Sequence, residues 1–144
     1  MVSGVLEARN VCFGYDDAEQ LVIRNVTFRV QTGELLLVMG ASGAGKSTLV
    51  LALNGLIPHA LQGSYDGEVR VAGRNTREAT VGELAMHVGM VFQDPEAQLV
   101  AFTVEDEVAF GLENLCLERA EMEQRITRAL REVGLADQRQ KAEK

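Results

Sequence analysis

The residues best able to do chemistry stand together as Gly40-Ala41-Ser42-Gly43-Ala44-Gly45-Lys46-Ser47-Thr48. They satisfy G-x-x-x-x-G-K-[ST], a pattern suited to holding phosphate groups. A phosphate needs several backbone N–H groups converging on one point, and residues without side chains let the backbone come that close. A helix opening at the end of the loop adds its positive end. Lys46 supplies a point charge to the outer phosphates, and the Ser47 hydroxyl can ligate Mg²⁺. A chance match is expected only roughly a few times per thousand chains of this length. Lys46 is also the only lysine before Lys141, every other cation in that stretch being arginine.

Such a loop requires a buried strand before it and a helix after it. Leu35 to Met39 is apolar without alternation, which reads as a strand covered on both faces of a parallel sheet. Period alone also allows a buried helix piece; its brevity and the glycines after it favour strand. Residues 46–56 form the expected helix, with Leu49, Leu53 and Leu56 on one face and Pro58 just past its end. Upstream, residues 4–13 and 21–30 read as strands around the turn Gly14-Tyr15-Asp16-Asp17. Val26, Phe28 and Val30 alternate with polar residues, as in a sheet with one wet face. Residues 58–66 read as a loop, 67–72 as a strand and 88–92 as a second buried strand. Thr80-x-x-Glu83 is a capping-box pattern, and Thr103-x-x-Asp106 looks like another helix start. A last amphipathic helix is expected from about Glu118 to Val133, with Met122, Ile126, Ala129, Leu130 and Val133 as its apolar stripe and Gly134 as its stop.

Nearly half of the 144 residues are apolar and a quarter charged, the balance of an ordinary globular protein. A formal charge of -7 argues against nucleic acid as a partner, because phosphate-backbone binding needs a basic patch. Cys12 and Cys116 stand far apart in the sequence and outside any Cys-x-x-Cys pair, so both are expected as reduced thiols. No apolar run is long enough to cross a bilayer, so any membrane role is expected to come through a partner.

The flanks of the loop resemble the ABC transport ATPases at three places in consistent order. Phe13-Gly14-Tyr15 resembles their aromatic loop, and Val91-Phe92-Gln93-Asp94-Pro95 resembles their Q-loop. Gln98-Leu99 with Thr103-Val104-Glu105-Asp106-Glu107-Val108-Ala109-Phe110-Gly111 and Glu113-Asn114-Leu115 is similar to the energy-coupling-factor branch, as is Asn54-Gly55-Leu56-Ile57-Pro58-His59. That branch imports vitamins and transition metals such as cobalt. The likeness runs from residue 4 to about 135. It implies an α/β fold: an incomplete P-loop NTPase core (35–57 and 88–93) with an N-terminal antiparallel β subdomain (1–34 and 67–73). Residues 94–135 would form the Q-loop and the start of a helical subdomain, the whole 1–144 being the N-terminal part of one ATPase domain.

By the same resemblance, Gly40 to Thr48 hold ATP and Tyr15 stacks on its adenine; the plain alternative is a hairpin aromatic packed on the sheet. Gln93 is implied to contact Mg²⁺ or the attacking water, orienting rather than deprotonating it; the alternative is a polar strand end. Residues 94–115 would dock on a transmembrane subunit, and a second ATPase subunit, identical or related, would complete the site. The implied location is the cytoplasmic face of the cell membrane. Leu99, Val100, Ala101 and Phe102 read equally as a core run or as an exposed contact patch. His59 and His87 read as a loop and a strand-edge histidine rather than the family's switch histidine, and Glu105-Asp106-Glu107 as a solvated helix face rather than a catalytic acidic pair.

The chain also lacks the family's Leu-Ser-Gly-Gly-Gln signature, its acidic strand and its switch histidine. The expectation is therefore ATP binding within an importer's energising subunit, with the chain alone inactive in hydrolysis, apolar edges exposed and marginal stability. The alternatives are a non-hydrolysing ATP-binding or docking module, or an inactive truncated remnant.

Overall fold

The computed structural model describes residues 5–141, which divide after Met90 into two compact units. The first is built on a four-stranded antiparallel sheet in the order β2-β1-β3-β4. Its strands are β1 (Leu6–Tyr15), β2 (Ile23–Val30), β3 (Gly63–Val71) and β4 (Arg74–Asn75). In β2, Val26, Phe28 and Val30 are half-buried while Thr27 and Arg29 are exposed, the alternation expected of a sheet with one wet face. Strand β1 bulges between Arg9 and Cys12, where Asn10 adopts φ 50° opposite Gly67. A Cβ on Gly67 would lie 2.4 Å from the Asn10 carbonyl oxygen, and its φ of 85° is left-handed, so both sterics and backbone call for glycine.

The buried face of the sheet supplies Ala8, Val11, Phe13, Val69 and Val71. Onto it pack α1 (Lys46–Leu53) through Leu49 and Ala52, α2 (Leu56–His59) through Ile57, and α3 (Val81–Ala85) through Leu84. A fully buried Phe such as Phe13 contributes about 1.5–3 kcal/mol by leaving water. Helix α3 opens with a complete capping box: Thr80 Oγ1 accepts from Glu83 N at 3.2 Å, and Thr80 N donates to Glu83 Oε2 at 2.8 Å. Those hydrogen bonds from Thr80 hold the Glu83 carboxyl below its ordinary pKa.

Several expectations need correction. Leu35 to Met39 forms no strand; Leu35 is 93% exposed and Met39 80%. The stretch 88–92 forms none either, and Val91 is 80% exposed. The reason is shared. A parallel strand is made by ladder bonds to neighbours distant in sequence, and no described residue supplies such a neighbour. The expected loop 58–66 is cut short, because β3 already starts at Gly63, with Tyr65 paired to Phe13 and Gly63 to Tyr15. The helix after the loop ends at Leu53 rather than 56, where Gly55 turns the chain at φ 81°, and Pro58 lies inside α2 instead of past a helix end. His87 sits in a turn after α3, not at a strand edge.

The second unit pairs α4 (Val104–Asn114) with α5 (Arg119–Glu132) around Ala109, Ile126 and Leu130, with Val104, Val108, Leu112, Met122 and Leu135 packed against them. Helix α5 keeps its expected limits and Gly134 turns left-handed after it, but Val133 is 67% exposed and leaves the stripe. Thr103 caps α4 by accepting from Asp106 N at 3.1 Å. The backbone carbonyls of Lys141 and Arg139 accept from Val104 N and Glu105 N, closing the same helix end.

Candidate functional site

The phosphate loop stands as a loop between the apolar run and α1. Gly43 and Gly45 take φ of 78° and 85°, the left-handed region that lets successive N–H groups turn inward. At Gly45 the demand is doubled, since a Cβ there would meet the Val22 carbonyl oxygen at 2.8 Å and Val22 Cγ1 at 2.9 Å. The first i→i−4 bond of α1 runs from Leu49 N to Gly45 O at 2.8 Å, so the N–H groups of Lys46, Ser47 and Thr48 come before the ladder starts. No side chain caps this end and no acidic residue lies in its first turn. Helices α3 and α4 have a Thr cap and acidic residues in those places. The contrast leaves α1 with a positive end suited to an anion.

Lys46 Nζ folds back over the loop, donating to Gly40 O at 2.8 Å and Ala41 O at 2.7 Å. The ammonium is thereby held against the loop's own carbonyls. Ser47 is exposed beside it. Among the described residues no group of three or more His, Cys, Asp or Glu gathers as a metal cage. The exposed Ser47 hydroxyl is the group here that would hold Mg²⁺ beside bound phosphates.

Tyr15, at the end of β1, reaches the same helix turn. Its hydroxyl lies 3.1 Å from Thr48 Oγ1, and its ring meets Phe13 edge-on, with centroids 4.9 Å apart at 84°. Two candidates named from separate stretches of sequence are thus brought together, while the ring also packs in the sheet as the plain alternative had it. Beside the loop lies a cavity of about 510 Å³ between β2 and the apolar run. Val26, Phe28, Leu36 and Val38 line it, together with Gly45 and Lys46 of the loop. Most of the other walls are apolar.

Sequence reasoning missed Val22. This residue braces Gly45 from below, and its own N–H donates to Phe13 O at 2.7 Å. Nothing in its residue type signals that role; only the folded hairpin does. His59 accompanies the first unit's core, its Nε2 2.8 Å from Thr76 O. Cys12 and Cys116 are free thiols.

In the second unit, Gln93 lies on an exposed bend ahead of a 3-10 turn at Glu96–Gln98. The acidic run beyond it is more than a solvated face. Glu105 pairs with Arg139 at 2.5 Å, Asp106 accepts from the Thr103 hydroxyl at 2.7 Å, and Glu107 Oε2 accepts from Val100 N at 3.0 Å and Ala101 N at 2.9 Å. Glu107 therefore props the loop that carries Leu99, Val100 and Phe102. Those three apolar side chains are exposed, Phe102 at 87%, and Phe110 on α4 is also exposed. Of the two readings left open for this run, the exposed patch is the one that folds. Among the described residues no helix is long and apolar enough to cross a membrane.

With this geometry in view, the comparisons with known proteins agree on one family. The chain is 50% identical over 136 residues to a protein of Pyrococcus abyssi described as an ABC transporter ATP-binding protein, covering 94% of this chain and 49% of that one. It is 39% identical over 138 residues to a protein of Bacillus subtilis described as an HMP/thiamine import ATP-binding protein, covering 95% and 25%. Among solved structures, CbiO1 from Clostridium perfringens, described as part of the ABC transporter complex CbiONQ, superposes with a TM-score of 0.82 at 27% identity. That match covers 97% of this chain and 54% of CbiO1. The chain thus spans about half the length, or less, of these relatives. The fold is the N-terminal part of the ABC ATPase P-loop fold. Because the family model described as ABC transporter matches residues 23–144, the chain belongs to the ABC transporter family.

Proposed function

We propose that this chain carries the ATP-binding front of the energising subunit of an importer of the energy-coupling-factor type. The observation that carries the reading is the uncapped, acid-free start of α1 beneath a left-handed glycine loop, with Lys46 Nζ poised on Gly40 O and Ala41 O. Backbone N–H groups of the loop hold the phosphates, Lys46 neutralises the outer ones, and Tyr15 provides the surface for the base. Mg²⁺ bound at Ser47 would offset negative charge on the phosphates. The Gln93 amide orients the attacking water in the complete site, which a second ATPase subunit closes.

The importer branch is supported by what two relatives are called, the thiamine-import ATP-binding protein and CbiO1. The exposed patch Leu99, Val100 and Phe102 within 94–115 supports docking on a transmembrane subunit. Such an assembly places the chain at the cytoplasmic face of the membrane. The test is calorimetric titration of the full chain with Mg-ATP. Binding should weaken by at least about tenfold in Lys46→Ala, the loss of a charge-assisted contact. Absence of binding by the unsubstituted chain, or equal binding by the variant, would overturn the reading.

A further inference from the structure

We propose that the Tyr15 hydroxyl is a positioning group, which locks the base-facing ring to the phosphate-binding helix through Thr48. The proposal rests on the reading of Gly40 to Thr48 as an ATP site and adds how its two ends are kept in register. Thr48 is a polar residue only 8% exposed, in the first turn of α1, two residues beyond Lys46. A buried hydroxyl needs a partner, and Tyr15 Oη stands 3.1 Å from Thr48 Oγ1. The ring is therefore fixed at two points, by Phe13 edge-on at 4.9 Å and by the helix through its hydroxyl. A second tie runs parallel to the first. Val22 N donates to Phe13 O at 2.7 Å, and the Val22 carbonyl fills the space that a Gly45 side chain would need.

The hairpin end and the start of α1 are thus joined twice, and a ligand reaching from loop to ring meets a ring that is already ordered. Ordering a free side chain on binding weakens affinity by about fivefold. The bond should therefore favour a triphosphate bearing a base over a bare triphosphate.

Calorimetric titration of the full chain with Mg-ATP and with Mg-tripolyphosphate reads that preference as a ratio of affinities. In Tyr15→Phe the ring keeps its edge-on contact with Phe13 and only the hydroxyl goes; the ratio should fall about two- to fivefold. Thr48→Val removes the other half of the bond and should lower the ratio equally, even if it also weakens both ligands through the loop. The double variant should show the same ratio as either single one, since one bond is lost once. Thr48→Ser, which keeps a hydroxyl, should retain the wild-type ratio. An unchanged ratio in Tyr15→Phe or Thr48→Val, or a double variant that loses it twice over, overturns the proposal while the ATP site stands. A wild-type chain that binds neither ligand removes the site itself, and this inference with it.

Discussion

Strand β2 ends at Val30 and the apolar run starts at Leu35, yet the two neighbours meet opposite fates. From Val26 to Val30 every second residue of β2 is apolar, and the strand pairs with β1 from Ile23 to Val30 with two register shifts. All five residues from Leu35 to Met39 are apolar, and they stand without a ladder, Leu37 at 71% exposure and Leu35 at 93%. Hydrophobicity by itself therefore does not make a strand. Alternating segments come with antiparallel partners close by in sequence, so β1 and β2 need only a hairpin to meet. A continuous run is written for the middle of a parallel sheet, where both faces are covered and both neighbours are distant. Its exposure agrees with the expectation of bare apolar edges, and a surface of that kind invites association.

Substitutions can break or sharpen this contrast. The largest effect should come from the paired region: Phe13→Ala empties a fully buried site and should destabilise by about 3–5 kcal/mol in chemical denaturation. A loss below about 1 kcal/mol would mean that the sheet is not the stable part of the molecule. Thr80→Ala tests order that needs no distant partner at all. Removing this cap should cost about 1 kcal/mol, visible as a shift in the denaturation midpoint.

The same variant has a pH signature. Hydrogen bonds from Thr80 lower the folded-state pKa of Glu83, so its contribution is fully present above the unfolded carboxylate value of about 4.3 and is lost as pH falls through the lower folded value. Between those values the unsubstituted chain should lose more stability on acidification than Thr80→Ala does. The variant keeps the backbone N–H at position 80, so equal slopes would show that the Thr80 hydroxyl does not hold the Glu83 carboxyl in solution. The smallest effect should be that of Leu37→Ala, within about 0.5 kcal/mol, as for an exposed residue. A cost matching that of Phe13→Ala would show that another polypeptide covers the run in solution.

The second unit extends the lesson. Thr103 and the apolar stripe of α5 were legible because capping and helical periodicity are written within a few residues. The role of Glu107 was not, since its partners Val100 N and Ala101 N are backbone groups that any sequence would possess. Val22 is the same kind of case in the first unit, acting on Gly45 through its carbonyl and its position alone.

What the sequence determined by itself was whatever depends on residue type at short range. The glycines at 43 and 45 permit the left-handed turns that the loop takes, and with Lys46 and Ser47 they match the phosphate-loop pattern by residue type alone. The hairpin, the Thr80–Glu83 box and the last helix followed from alternation, capping and period in the same way. Tertiary structure decided the rest. It brought Tyr15 within 3.1 Å of Thr48, set Val22 against Gly45, and left Leu35 to Met39 in the open. Those outcomes depend on pairings between segments remote in sequence, which no local pattern encodes, because a ladder bond or a close approach belongs to two segments at once.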